Sequence, residues 1–180
     1  MTTTISPNAP FVAYLNALTH QGNRSALMAM RSSLGQRDGI GESAVIHVAG
    51  FADPSDAARE RSYYLLAGLF ALWHTSNTAS PGTGKPLGAA LRVVKRTDDR
   101  LSTILMEELT RARQDHVRSA AHRAVAVLSR ERIAVNWLSL ADDLTCAPHL
   151  WPQRQRRWAY DFHADKRSVW APPDSTEAQP

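Results

Sequence analysis

The fold of this 180-residue chain is decided by one stretch, Tyr63-Tyr64-Leu65-Leu66-Ala67-Gly68-Leu69-Phe70-Ala71-Leu72-Trp73. Almost every position in it is apolar, so a helix built from it is hydrophobic on all sides. At eleven residues the stretch is too short to cross a bilayer. A helix of this kind therefore lies at the centre of a folded domain. We expect five of its apolar side chains to be buried: Leu65, Leu66, Leu69, Phe70 and Trp73.

Outward from this stretch, the remaining patterns are also helical. Apolar residues recur at helical spacing, and no alternation of period two is long enough for a sheet. Asn23 and Asn136 fit helix N-caps, and Pro10 fits a first helical turn. The predicted helices contain Phe11 to Leu18, Leu27 to Leu34, Glu42 to Val48, a fourth that opens at Asp53 and continues through Trp73, Leu87 to Val94, Leu101 to Arg113, Asp115 to Ser129, a short one that ends at Leu144, and a last one framed by Pro148 and Pro152. The predicted fold class is all-α, a compact multi-helix protein, with two small packed helical lobes as an open alternative to a single unit.

Turn-forming and polar segments mark the predicted boundaries of the folded part. The stretch from Thr75 to Pro86 has almost no hydrophobic residue, which is typical of a loop between elements. The end of the chain is rich in proline and polar residues, which favours disorder. We therefore predict a flexible N-terminal tail (1–9), a helical domain (10–168) with lobes 10–75 and 86–168 on either side of a mobile loop (76–85), and a disordered C-terminal tail (169–180).

The charge of the chain is modestly basic and unevenly distributed. The net charge is +4, and residues 111–167 contain eleven Lys or Arg against six Asp or Glu. Arginine dominates the basic residues, and its guanidinium suits bidentate contact with phosphate. The single cysteine, Cys146, excludes an intramolecular disulfide and agrees with a reducing cytoplasm. No signal peptide or membrane span is predicted, so we expect a cytoplasmic protein without a membrane partner.

Sequence motifs give no support for an enzyme, a metal site or a cofactor. The stretch Pro81-Gly82-Thr83-Gly84-Lys85 is similar to a phosphate-binding loop, but its first glycine is replaced by Ala79 and the magnesium-ligating hydroxyl by Pro86. The seven histidines are scattered and no ligand cluster accompanies them. Asp142 and Asp143 are adjacent, so a helix splays them apart, and we interpret them as a solvated pair. We predict no catalytic residue, no metal ligand and no cofactor.

The C-terminal helix combines an aromatic face with arginines. Trp151, Trp158 and Phe162 fall on one face at 100° per residue, together with Gln155 and Ala159. Arginines lie on both flanks of this stripe. They lead the set of candidate phosphate-binding residues, which is Arg24, Arg31, Arg59, Lys95, Arg96, Arg118, Arg154, Arg156 and Arg157. For any one of these residues a solvated surface charge is the simpler explanation, and the case depends on several of them converging on one surface.

The order of several short motifs resembles the CasB family, the small subunit of the type I-E CRISPR complex Cascade. The matching pieces are the C-terminal arginine-tryptophan helix, Phe11-Val12-Ala13-Tyr14-Leu15, Gly22-Asn23-Arg24-Ser25-Ala26-Leu27, Arg31 with Leu34-Gly35, the apolar helix, Leu87-Gly88-Ala89-Ala90-Leu91 and Val135-Asn136-Trp137. The similarity covers roughly residues 10–165. The family often has a basic residue after the Leu-Gly pair, where this chain has Ala89, and we assign no contact there.

The resemblance implies an all-helical, non-catalytic subunit of an RNA-guided antiviral complex. Its implied partners are the guide RNA, the target DNA with its displaced strand, other Cascade subunits and a paired copy or homodimer of itself. Guide pairing supplies sequence specificity in such complexes, so backbone attraction by arginines suffices. A helical adaptor that binds acidic protein surfaces is the alternative. An enzyme such as a helical nuclease is a third reading, with little in the sequence to favour it.

Overall fold

The computed structural model describes residues 6–36, 40–53, 55–77 and 84–164 of the chain. That part contains nine α-helices joined by turns and three short 3-10 segments, and it contains no named strand, which confirms the all-α prediction. The predicted tail residues 1–5 and 169–180 and the loop residues 78–83 lie outside the described ranges. The helices are α1 (Ala9–His20), α2 (Arg24–Ser32), α3 (Glu42–Val48), α4 (Ala57–His74), α5 (Leu87–Lys95), α6 (Asp99–Arg111), α7 (Val117–Arg130), α8 (Trp137–Leu144) and α9 (Trp151–Phe162).

Helix α4 lies at the centre of the molecule, as its apolar sequence predicts. Leu66, Leu69 and Phe70 are completely buried, and Leu65 and Trp73 are nearly so. It packs against α2 and α3 from the first half of the chain and against α7 and α8 from the second half. Because both halves share this helix, their cores are continuous. The division into two lobes stays a prediction. None of the described helices has the length and apolar composition needed to span a bilayer.

Helix ends follow the capping signals at some positions and depart from them at others. The side chains of Asn23 and Asn136 accept hydrogen bonds from the N–H groups of Ala26 and Ser139, which confirms both predicted caps. Helix α4 begins at Ala57 rather than near Asp53. Its cap is Asp56, because the Asp53 carboxylate is already bonded to the N–H and hydroxyl of Ser55.

The connection between α6 and α7 is longer than the sequence predicts. Helix α6 ends at Arg111, since Ala112 and Arg113 adopt extended backbone conformations with ψ of 134° and 154°. A 3-10 turn, Gln114–His116, then leads into α7. The side chains of Trp151 and Gln155 on α9 bond to the carbonyl of Ala112, so α9 fixes this bend.

The first described residues of the chain are held against α8. Asn8 is buried and donates from its side chain to Asp142 at 2.7 Å and to Thr145 at 2.9 Å. Its amide oxygen accepts from the hydroxyl of Tyr63 at 2.8 Å. Asn8 therefore joins α1 to both α4 and α8, and Asp142 faces the N-terminal segment.

Helices α5 and α9 cross with their backbones almost in contact at Gly88. A Cβ atom at Gly88 would lie 2.1 Å from the carbonyl oxygen of Trp158. The predicted aromatic face of α9 is confirmed, because Trp151, Trp158 and Phe162 are all buried. The close contact with α9 thus explains the glycine of the Leu87-Gly88 pair.

Gly84 and Lys85, from the stretch that is similar to a phosphate-binding loop, have a structural role. The N–H of Lys85 donates to the carbonyl of Ala134 at 3.0 Å, and the N–H of Asn136 donates to the carbonyl of Lys85 at 2.8 Å. A Cβ at Gly84 would lie 2.0 Å from the carbonyl carbon of Val135. This isolated parallel bridge fastens the start of α5 to the segment before α8.

Candidate functional site

A groove with a volume of about 880 Å³ lies among the first turns of α4, the α6–α7 connection, the start of α7 and the α8–α9 connection. Its described lining residues include four arginines and two aspartates. Four positive charges against two negative ones give the groove a cationic character that attracts anions. The charged residues are Arg59, Arg61, Arg113, Arg118, Asp56 and Asp115.

The two aspartates leave much of this positive charge available. The Asp56 side chain accepts from the N–H of Arg59 and so serves as the cap of α4. Asp115 lies 3.5 Å from Arg113, and both side chains are exposed, so the pair is weak. Within the described ranges neither Arg59 nor Arg61 forms an ion pair. Arg59 lies over the ring of Tyr63, at 5.9 Å from its centroid, and Arg61 is exposed.

The positive surface continues from the groove onto α2 through Arg118. The Arg118 guanidinium donates to the carbonyl of Ser33, and the Arg31 guanidinium donates to the hydroxyl of Thr75 at 3.0 Å. His122 lies one turn beyond Arg118 on α7. Burial lowers its pKa, and the nearby charges of Arg118 and Arg31 lower it further. Arg31, Arg118 and His122 are therefore neighbours.

We call this group of arginines the basic track. It contains three of the sequence-predicted residues and two others. The predicted members come from three separate helices, which only the fold brings together. The basic track consists of Arg31, Arg59 and Arg118, predicted from the sequence, together with Arg61 and Arg113.

The arginines of α9 lie in a different environment, beside a buried carboxylate. Asp143 is completely buried, which corrects its interpretation as half of a solvated pair. Its oxygens lie 3.7 Å from Arg154 and 3.5 Å from Arg157. The indole N–H of Trp158 donates to Asp143 at 2.7 Å, and Arg157 also donates to Ser139 at 2.5 Å. Arg154 and Arg157 therefore have a structural role in holding α9 against α8.

Burial raises the pKa of Asp143, while the hydrogen bond from Trp158 and the charges of Arg157 and Arg154 oppose that rise. Two guanidiniums beside one enclosed carboxylate favour its charged form. Each of the two guanidiniums thus has one side that faces the buried carboxylate of Asp143. A phosphate contact by either residue stays a prediction.

The remaining candidates do not join the basic track through any contact within the described ranges. Arg24, Arg96 and Arg156 are exposed, and Arg156 donates to the carbonyl of Pro152 in its own helix. Lys95 lies 3.7 Å from Asp99 and 5.2 Å from the ring centroid of Phe162. Favourable local contacts account for Lys95, and the exposure of the other three leaves them accessible to a partner.

Sequence reasoning missed Arg113 because the predicted sixth helix included it. In the structure this residue follows the end of α6, where the extended backbone brings it to the groove. The sequence signal that could have found it is weak. Ala112 and Arg113 lie between the helical patterns of α6 and α7, whose apolar faces differ. Arg61 carries a sequence signal, since a cation in the first turns of a helix opposes the helix dipole.

The histidines and acidic residues of the described ranges form no group of three or more that could hold a metal ion. His74, the most buried histidine, is enclosed by aromatic rings, with the Phe70 centroid at 4.1 Å and the Trp73 centroid at 4.7 Å. Burial, with a smaller contribution from His20, lowers its pKa to about 4. Its role is packing.

Comparisons with known proteins identify the family. The sequence model described as CRISPR-associated protein Cse2 matches residues 26–163. The fold is similar to that of a Cse2-family CRISPR-associated protein from Thermus thermophilus, with a TM-score of 0.74 and 24% identity over 89% of this chain and 99% of the other. For a second structure from that organism, described as CasB, the TM-score is 0.72, with 25% identity over the same shares of the two chains.

A chain of a CRISPR RNA-guided surveillance complex also has a similar fold, with a TM-score of 0.69 and 20% identity over 91% of this chain and 94% of that one. No curated protein matches the chain significantly. The family match spans well over half of the sequence and agrees with the motif order read from it. The chain belongs to the CRISPR-associated protein Cse2 family.

Proposed function

We propose that this chain is a non-catalytic, nucleic-acid-binding small subunit of a Cascade-type RNA-guided antiviral complex. In this role its arginine-rich surface holds target DNA and the displaced strand along the guide RNA. Its other partners are further subunits of the complex and a second copy of the same chain. Membership of the Cse2 family supports the proposal that the chain is part of such a complex. The basic track supports the proposal that it contacts phosphates.

The convergence of Arg59, Arg61 and Arg118 on one groove is the observation that carries this proposal. Guanidiniums paired with protein carboxylates would have little to offer a partner, but Arg59 and Arg61 have no such pair within the described ranges. Phosphate contacts fix the position of a nucleic acid without reading its bases. That is sufficient where a guide RNA supplies the sequence specificity. Arg24, Arg96 and Arg156, exposed elsewhere, are proposed as further backbone contacts.

The test is a salt series of nucleic-acid binding by Arg59→Ala/Arg61→Ala. Each lost phosphate contact should reduce the log–log salt slope by about 0.7 for a single strand. The double variant should therefore bind more weakly at physiological salt and with a slope lower by roughly 1.4. The loss should be the same for unrelated sequences, because phosphates carry no base information.

A matched control removes the same charge elsewhere. Arg100 and Arg130 are both exposed and lie outside the basic track, so Arg100→Ala/Arg130→Ala should bind nearly as tightly as the parent protein. If the two double variants bind nucleic acid equally well, the phosphate-binding role is wrong. Retained binding to the other subunits would then favour the adaptor that docks on acidic protein surfaces.

A further inference from the structure

The groove has two chemically different parts. The α8–α9 connection contributes the exposed side chains of Ala147, Pro148 and Pro152, and Leu144 and Trp151 line the groove beside them. The arginines come from other elements, namely α4, the α6–α7 connection and the start of α7. An occupant that fills the whole groove therefore needs an apolar part next to an acidic part.

The chain itself contains a stretch with this composition. Residues 169–177, which follow α9 and lie outside the described ranges, read Val-Trp-Ala-Pro-Pro-Asp-Ser-Thr-Glu. Apolar residues come first, the carboxylates of Asp174 and Glu177 follow, and the stretch has no basic residue. We call residues 169–177 the acidic segment. Its order of apolar and acidic residues matches the two parts of the groove.

We propose that the acidic segment docks in the groove of its own chain, with Trp170 against the α8–α9 connection and with Asp174 and Glu177 at the arginines. The contact is autoinhibitory, because it covers arginines that the proposed function assigns to phosphates. That consequence depends on the proposed function, whereas the contact itself does not. A nucleic acid displaces the segment because it carries a charge at every nucleotide, against two carboxylates.

The length of the chain after α9 permits this contact. Pro152 lines the groove and Phe162 ends α9 ten residues later, so the end of the helix lies about 15 Å from the groove. Eight residues lead from Phe162 to Trp170, which is up to about 26 Å of extended chain. Trp170 can therefore return along α9 to the apolar part. Asp174 and Glu177 follow within about 13–23 Å of extended chain, enough to reach arginines of the same groove.

Attachment to the same chain makes even a weak contact persistent. A segment on a short tether has an effective concentration on the order of 1 mM. A contact with an intrinsic Kd of about 0.1 mM would then be occupied about 90% of the time. Only about one molecule in ten would present an open groove, so nucleic acid should bind the full chain about tenfold more weakly than a chain without the contact.

Cys146 provides a direct reporter of the groove. It is the only cysteine of the chain, it lies next to Ala147, and it lines the groove while remaining half-exposed. Burial raises the pKa of its thiol, so alkylation by iodoacetamide, in which the thiolate displaces iodide, should be followed at mildly alkaline pH. A segment that lies against the α8–α9 connection would cover this sulfur.

The experiment compares the parent protein with the full-length variant Trp170→Ala/Asp174→Asn/Glu177→Gln. Without any ligand, we expect Cys146 to be alkylated about tenfold faster in the variant, because the groove is open. A single-stranded oligonucleotide should also bind the variant about tenfold more tightly. Trp170→Phe keeps an aromatic ring and both carboxylates, so it should retain the alkylation rate of the parent.

A matched control removes the same negative charge elsewhere. Glu107 and Glu131 are exposed and lie outside the groove. Glu107→Gln/Glu131→Gln should therefore alkylate at the rate of the parent and bind the oligonucleotide nearly as the parent does. An equal gain in oligonucleotide binding by this control would assign the effect to net charge and would contradict the docked segment.

The two readouts separate the inference from the proposed function. Equal alkylation rates in the parent and the triple variant would show that the acidic segment does not lie in the groove. A parent rate that falls as the protein concentration rises would assign the groove to the segment of a second copy and overturn docking within one chain. Faster alkylation with unchanged oligonucleotide binding would overturn the autoinhibitory role. Faster alkylation of a protein that binds no nucleic acid at all would confirm the contact and refute the proposed function.

Discussion

Asp143 provides a buried polar attachment for α9. Its buried carboxylate accepts from Trp158 and faces Arg154 and Arg157, so one residue of α8 organises three residues of α9. A buried charge is tolerated only when donors and opposite charges surround it. The C-terminal helix is thus held by a polar contact as well as by its aromatic face.

Asp143→Ala should therefore destabilise the protein, because the buried indole N–H loses its acceptor and two guanidiniums lose their partner. The stranded N–H alone should cost about 1–3 kcal/mol of unfolding free energy, measured by urea denaturation. Asp143→Asn keeps an acceptor oxygen and should cost less. If both variants lose the same stability, the hydrogen bond to Trp158 contributes nothing and the assignment is wrong.

His74 should make the stability of the protein depend on pH. Its pKa is about 4 in the folded state and near 6.5 when unfolded, so between these values the unfolded chain binds more protons. Stability should consequently fall as the pH is lowered from 6.5 towards 4, by up to about 3 kcal/mol from this residue.

His74→Phe keeps a ring among Phe70, Trp73 and Trp137 but removes the titration. Its unfolding free energy should fall less steeply over the same pH range than that of the parent protein. His149→Gln, at an exposed position, is the control and should keep the parent's slope. Parallel pH profiles for the parent and His74→Phe would show that the buried imidazole does not control this dependence.

At the scale of elements, the crossing of α5 and α9 leaves no room for a side chain. Gly88→Ala would place a methyl group against the backbone of Trp158, and backbone cannot rotate away as a side chain can. Overpacking typically costs about 1–3 kcal/mol, and we expect Gly88→Ala to reach at least that range in thermal or urea unfolding. Gly50→Ala, which has nothing within 4 Å of the added atom, should change stability little. Equal stability of the two variants would mean that the helices can separate without loss.

The elements themselves were largely predictable, because their signals are local. The apolar run identified α4 as the centre, and the caps at Asn23 and Asn136 fixed the starts of α2 and α8. The end of α6 was not predictable, since the bend at Ala112 is held by Trp151 and Gln155 from a distant helix. Sequence spacing gives the face of a helix but not the partner that covers it.

At the scale of the whole molecule, the site could not be predicted from the sequence, because it depends on how the helices pack together. Helical spacing placed Asp143 and Arg157 on the surfaces of separate helices, and only the packing of α8 on α9 makes them partners. The same packing divides the candidate arginines, because Arg59 and Arg118 meet in the groove whereas Arg154 turns towards a carboxylate. A count of basic residues predicts a phosphate-binding surface, but it cannot say which of them are already used by the fold.

The bonds of Asn8 have a consequence for how the molecule is made. Its side chain needs Thr145, which follows it by 137 residues. At about 5–20 residues per second, a ribosome takes roughly 7–27 s to supply that partner. During synthesis α1 therefore cannot complete its contacts with α8 until Thr145 has been made, whereas its bond to Tyr63 is available much earlier. A chain stalled before Thr145 would leave Asn8 without this partner and α1 without its attachment to α8.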